Sequence, residues 1–216
     1  MRTVGQVEAL FLDFNGTLSD DEHVLATVYA ELFADHGQLL PASEYLDRFA
    51  GMSDAEIFRL GLGESADVEA LTEERIERYR ERTGDGETIT PDARRAVAEA
   101  AGRVPVVVVT SAFRREVEPA LAGSGLAGAV SGIVSVDDVR YPKPHPEPYR
   151  AACRLAGVWS ARAVAVEDTP TGIRSAQAAG VRCAAVTGTM ARNRLSGAEE
   201  LLDRLTPETV AALLER

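Results

Sequence analysis

Short apolar runs, each closed by a polar or acidic residue, recur at residues 7–13, 104–110, 132–137, 163–168 and 181–186. Runs of this length, rich in Val and Ala and continuous rather than alternating, predict strands buried on both faces of a parallel sheet. Between them, from residue 104 onward, apolar residues fall at helical spacing near 115–121, 146–156 and 171–179. Strand and helix therefore alternate, which predicts an α/β fold: a Rossmann-like parallel sheet with crossover helices. Ligands of such sheets sit beyond the carboxyl ends of the strands. Here those ends carry Asp13, Thr110, Asp137 and the pair Glu167 and Asp168.

A different pattern fills the interval after the first run. Residues 22–36, 43–49, 54–60 and 67–82 all carry helical spacing, with Gly-containing breaks at 61–63 and 84–86 and no convincing strand. This predicts a helical cap, residues 18–89, inserted into an α/β core made of residues 1–17 and 90–216. Charge divides the same way. Residues 18–89 hold 18 Asp and Glu against 6 Arg, whereas the remainder is nearly neutral, with 16 acids against 17 bases. The charge run at 75–82 reads as a solvated helix face.

With 216 residues, 45% hydrophobic and 26% charged, the chain has room for one sizeable core and an insert, and its composition is that of a globular protein. The longest aliphatic run, residues 106–109, is far short of a bilayer span, and no basic segment precedes a long apolar stretch at the N-terminus. Cys153 and Cys183 stand in apolar patterns without metal-ligand spacing, so they read as small core residues and a reducing cytoplasm is expected. A net charge of −11 argues against a nucleic-acid partner, which would need a basic footprint.

The chemistry begins at the end of the first predicted strand, in Asp13-Phe14-Asn15-Gly16-Thr17. An Asn-Gly hairpin turn is the bland alternative, but the residues that follow read as turn and helix rather than as a pairing strand. Thr110 ends the second predicted core strand. Lys143 opens Lys-Pro-His-Pro-Glu-Pro-Tyr, and Glu167-Asp168-Thr169-Pro170-Thr171-Gly172 follows the fourth strand. Together, in this order, these segments resemble the four motifs of the haloacid dehalogenase superfamily. The cap position resembles the subgroup that includes phosphoglycolate phosphatase and β-phosphoglucomutase.

The resemblance implies a Mg²⁺-dependent hydrolase of a small phosphorylated metabolite, with Asp13 as the nucleophile that forms an aspartyl-phosphate. A carboxylate nucleophile splits one difficult displacement into two easier ones, and a hard cation with oxygen ligands offsets carboxylate–phosphate repulsion. By the same resemblance Asp13 and Asp168 are metal ligands, Asn15 gives its backbone carbonyl, and Glu167 reaches the ion through water. Thr110 and the backbone N–H groups after it, beginning at Ser111, are expected to hold the phosphoryl oxygens, and Lys143 to neutralise developing charge. Lys143 is the only lysine beside 22 arginines. A compact point charge is what this position calls for. His145 reads as a loop residue; Trp159 and the tyrosines read as packing.

One residue departs from the family pattern. The motif's second acid, which protonates the leaving group and then activates water, is Asn15 here, and an amide does neither. Three readings stay open: a slow or specialised phosphotransferase, a non-catalytic binder of Mg²⁺ and phosphate ligands, or an Asp-to-Asn trapped form of a phosphatase. Phosphonatases use a cap lysine, and residues 18–89 contain none. Dehalogenases usually lack the acids found here at 167 and 168. Mutases carry basic cap residues where this chain has Ala50, Gly51, Met52, Ser53 and Asp54. Gly51 is therefore taken as the cap position facing substrate.

Overall fold

The computed structural model describes residues 6–49 and 51–216. Six parallel strands form one sheet in the order β3-β2-β1-β4-β5-β6. They are β1 (Ala9–Leu12), β2 (Val106–Val109), β3 (Gly132–Val134), β4 (Ala163–Glu167), β5 (Arg182–Val186) and β6 (Glu200–Leu202). β1 lies at the centre, pairing Leu10 with Val106 on one side and with Val164 on the other.

Alternate residues of each strand feed two hydrophobic clusters, as the two-residue period of a strand requires. Leu10, Leu12, Val106, Val108, Val164 and Val166 belong to one cluster. Ala9, Phe11, Val107, Val109, Ala163 and Ala165 belong to the other. The first face is covered by α5 (Pro91–Ala101) and α9 (Pro207–Leu214), the second by α7 (Glu147–Ala156) and α8 (Pro170–Ala178). Burial on both faces explains why the strand sequences are continuously apolar. Each fully buried Val is worth roughly 1.5–3 kcal/mol of transfer free energy.

Between β1 and α5 lie four helices: α1 (Glu22–Asp35), α2 (Ala42–Arg48), α3 (Asp54–Leu62) and α4 (Val68–Thr83). Among the described residues this interval holds no strand. α1 packs on α2 and α4, and α4 also packs on α6 (Arg114–Gly123) of the sheet-bearing part. Ser53 begins α3 with a reciprocal capping box to Glu56, and Asp67 caps α4 through the Ala70 N–H.

Several expectations need correction. The first strand is shorter than residues 7–13, so Asp13 lies just beyond it. The third apolar run stops being strand at Val134, and Asp137 sits in a 3₁₀ turn where its carboxylate accepts from the Arg114 N–H at 2.8 Å. The charge run at 75–82 is not a uniformly solvated face. Arg75 and Tyr79 are buried, because this stretch of α4 turns one side toward α6. Trp159 does not pack: it is 82% exposed. Cys153 is half-buried and Cys183 buried, and neither forms a disulfide.

Candidate active site

All six strands point the same way, so their carboxyl ends share one edge of the sheet. Chain order reverses between β1 and β4, the two adjacent central strands, and a crevice opens at such a switch point. Asp13 follows β1, and Glu167 ends β4 with Asp168 behind it. The Asp13 N–H donates to the Val166 carbonyl at 3.0 Å, which fixes the nucleophile position against the neighbouring strand.

Lys143 joins three strand ends. Its Nζ lies 2.6 Å from Asp13 Oδ1 and 2.6 Å from Glu167 Oε1, and donates to the Val109 carbonyl at 2.8 Å. Its ammonium also stands 5.5 Å from the Tyr149 ring centroid. Burial pulls the Lys143 pKa down, but the charges of Asp13 and Glu167 outweigh it and raise it above the ordinary lysine value. The ammonium therefore stays charged at neutral pH. Tyr149 from α7 donates to Glu167 Oε1. It thus has a polar duty as well as the packing role expected of it.

Asp13, Glu167 and Asp168 each offer a carboxylate oxygen within 4.8 Å of the others. Both Asp168 oxygens and Glu167 Oε2 are buried without a hydrogen-bond partner. Orphaned buried carboxylate oxygens are costly, which normally means a cation or proton completes them. Burial, then the charges of Asp13, Glu167 and Glu22, raise the Asp168 pKa well above the carboxylate range. Burial likewise pushes Glu167 up to about 7, with Lys143 opposing. This donor set fits a hard divalent cation such as Mg²⁺.

Two glycines make room for these carboxylates. Gly16 has φ of +71°, and a Cβ on it would lie 2.1 Å from Asp168 Oδ2. A Cβ on Gly172, in the first turn of α8, would lie 1.8 Å from Glu167 Oε2. Thr110 is buried at the end of β2, with its Oγ1 accepting from the Ala112 N–H at 3.0 Å, while Ser111 is exposed. Gly51 (φ +83°) places its Cα hydrogens toward Thr169 and Thr171, since a Cβ there would be 3.8 Å from Thr169 Cγ2. The loop between α2 and α3 therefore meets the segment after β4. Ala50 lies outside the described residues.

Asn15 faces a group that sequence reasoning passed over. Its Nδ2 lies 3.0 Å from Asp21 Oδ2 and 3.0 Å from the Tyr79 hydroxyl, and the Gly16 N–H donates to Asp21 Oδ1 at 3.2 Å. Tyr79 donates to the same carboxylate. Burial pushes Asp21 up to about 7 against these hydrogen bonds. The residues after Thr17 read as a polar turn leading into the helix at 22–36. The only warning in the sequence was an unusually dense acidic step directly before an apolar helix.

The model of the haloacid dehalogenase-like hydrolases matches residues 10–186, from Leu10 in β1 to the end of β5, and includes all the side chains just described. The chain belongs to this family. Its named phosphatase relatives put it with the family's phosphoric ester hydrolases. It is 33% identical over 203 residues to the validoxylamine A 7'-phosphate phosphatase of Streptomyces hygroscopicus subsp. limoneus, covering 92% of this chain and 93% of that one. It is 30% identical to the phosphoglycolate phosphatase of Pectobacterium atrosepticum, covering 87% and 83% of the two chains. Among solved structures, CbbY from Rhodobacter sphaeroides with phosphate superposes with a TM-score of 0.81 at 27% identity, over 92% of this chain and 95% of that one. An Asp-to-Asn mutant of CbbY in complex with xylulose-(1,5)bisphosphate gives 0.80 at 28% identity, with the same coverage.

Proposed function

We propose that this family member is a Mg²⁺-dependent phosphatase of a small phosphorylated metabolite, working through an aspartyl-phosphate on Asp13. In this reading residues 1–17 and 90–216 are the catalytic core, and residues 18–89 are a cap that selects substrate. The reading rests on one observation above all: a lysine bridging Asp13 and Glu167 beside an Asp168 carboxylate that has no partner of its own. The relatives named as phosphatases of phosphorylated small molecules support the same class.

Asp13, Asp168 and the Asn15 backbone carbonyl would hold the cation, with Glu167 behind them. The bound ion supplies electrostatic neutralisation between the anionic nucleophile and the phosphoryl group. Lys143 carries a fixed positive charge to the same place and orients Asp13 through its Oδ1. Thr110, held rigid by its loop, and the Ser111 N–H receive phosphoryl oxygens. Gly51 brings the cap backbone against Thr169 and Thr171 without a side chain in the way.

The cap's excess of acids sets a negative potential over the entrance, which favours small substrates with one phosphate over polyanions. The test is a phosphate-release screen over a metabolite panel with and without Mg²⁺, with intact mass spectrometry for phosphorylated protein. Metal-dependent release, with Mg²⁺ affinity lost in Asp168→Ala by calorimetry, is the expected result. Unchanged affinity in that variant would refute the metal assignment. Ligand-induced stabilisation without turnover would replace the enzyme by a binding protein.

A further inference from the structure

One buried cation lies behind both of the loops assigned to substrate. Arg75 of α4 is buried between two carboxylates that come from different parts of the fold. Its Nε and Nη2 donate to Asp54 Oδ2 at 3.3 and 2.8 Å. On the other side its Nη1 donates to Glu116 Oε1, and its Nη2 lies 3.2 Å from Glu116 Oε2. A planar guanidinium fork holds two carboxylates in fixed directions at once, which a compact ammonium cannot do.

Each carboxylate leads to a loop. Asp54 is the first residue of α3, directly after Gly51-Met52-Ser53, and its Oδ1 accepts from the buried Tyr29 hydroxyl of α1. Glu116 lies buried in the first turn of α6, and its Oε2 also accepts from the Phe113 N–H at 3.0 Å. That bond fixes the far end of the loop after Thr110. At the near end the Ala112 N–H donates to Thr110 Oγ1 at 3.0 Å, so the Thr110 hydroxyl keeps its own hydrogen to give to a phosphoryl oxygen. Neither bond uses the Ser111 N–H, the other donor assigned there.

We propose that Arg75 is a positioning residue for phosphoryl binding: by gripping Glu116 it sets where the Thr110 and Ser111 donors point, and by gripping Asp54 it ties that setting to the segment 51–53. This role rests on the phosphatase reading, and Arg75 itself never touches substrate. A second ion pair joins the same two helices and supplies the contrast. Arg115 of α6 donates to Glu73 of α4 at 2.7 Å, but these side chains are 44% and 53% exposed, so water replaces either partner at little cost.

Vanadate titration of the full chain with Mg²⁺ tests the role, under conditions where urea curves show each variant folded. Arg75→Lys keeps the charge without the fork, and Glu116→Gln keeps the shape without the charge. Both should bind vanadate about 10- to 100-fold more weakly than wild type and lose kcat/KM for p-nitrophenyl phosphate by a similar factor. Mg²⁺ affinity by calorimetry should stay that of wild type, because neither residue bonds to Asp13 or Asp168. Glu73→Gln should match wild type in all three measurements. A merely structural ion pair would instead lower the urea midpoint and leave vanadate affinity and kcat/KM unchanged in the folded variants. That result in either variant, a parallel loss of Mg²⁺ affinity, or equal losses in Glu73→Gln would overturn the role of Arg75 and leave the phosphatase reading intact. Should Arg75→Lys fold poorly, Glu116→Gln alone decides. Wild type that neither binds vanadate nor releases phosphate would overturn the phosphatase reading and the role of Arg75 with it.

Discussion

Asn15 and Asp21 form a matched pair: the amide Nδ2 of one lies 3.0 Å from the carboxylate Oδ2 of the other, and the Tyr79 hydroxyl stands 3.0 Å from the same amide. An amide donates where a carboxylate accepts, so the residue that departs from the family motif is the one that satisfies a buried acid. The departure is built into the fold around it.

Asn15→Asp should therefore do more than restore a family residue. It turns a donor into a second acceptor against Asp21, leaving two carboxyl groups to share one proton or repel. The single variant should lose about 1–3 kcal/mol of stability at pH 7, seen in urea denaturation without metal. Adding Asp21→Asn should recover most of it by reversing the pair. Equal stability of Asn15→Asp and wild type would show that the pair has no energetic coupling.

Lys143 supplies the next prediction. Its ammonium is nearly inaccessible and neutralises Asp13 and Glu167 at once. Lys143→Met should cost roughly 3–5 kcal/mol, because one partner of a buried ion pair is removed and the others stay. Lys143→Arg keeps the charge but needs room for a planar fork among three strand ends. It should bind vanadate much more weakly than wild type in a fluorescence or calorimetric titration. Wild-type vanadate affinity in Lys143→Arg would remove Lys143 from the phosphate site.

Arg75 ties α4 to both α3 and α6. It donates to Asp54 Oδ2 at 2.8 Å and to Glu116 Oε2 at 3.2 Å, and Glu116 also accepts from the Phe113 N–H beside the Thr110 loop. Arg75→Met leaves two acids facing each other in a buried place, so a loss of about 3–5 kcal/mol is expected. Glu31→Gln is the control, since its partner Arg82 lies on the surface and the pair should matter by less than about 1 kcal/mol. Comparable losses in both variants would mean that burial does not set the value of these contacts.

Much of this arrangement was legible in the chain, and the exceptions share a cause. The five continuous apolar runs announce buried strands because both sheet faces are covered, and the acids at their ends announce the site. β6 escaped notice because three residues beginning with Glu200 carry too little pattern at the sheet edge. α5 and α9 were likewise missed: the apolar face of α5 is made of Ala and Val side chains, and α9 is only 8 residues long. Arg75, Tyr79 and Asp21 were misread for a deeper reason. Their burial is set by which neighbour each polar group meets across the fold, and spacing along one helix says nothing of that neighbour.

The acids around the loop also fix how stability depends on pH without metal. Asp21 moves from 3.8 up to about 7 and Glu22 from 4.5 up to about 8, in each case first because burial disfavours the charged form. A carboxyl whose folded pKa is raised binds its proton more tightly in the folded chain, so its contribution is fully present below the unfolded value and is lost as pH rises through the folded one. In these two terms metal-free protein should therefore be most stable at or below about pH 4 and should weaken steadily toward pH 8, by several kcal/mol in all. Asp21→Asn removes the loss spread between about pH 3.8 and 7 and Glu22→Gln that between about 4.5 and 8, so Glu22→Gln alone should flatten the slope above pH 7. Urea denaturation in chelator at pH 5, 6, 7 and 8 reads the slopes directly. A stability that rises over this range, with Glu22→Gln parallel to wild type, would show that these carboxyls are already ionised in the folded chain.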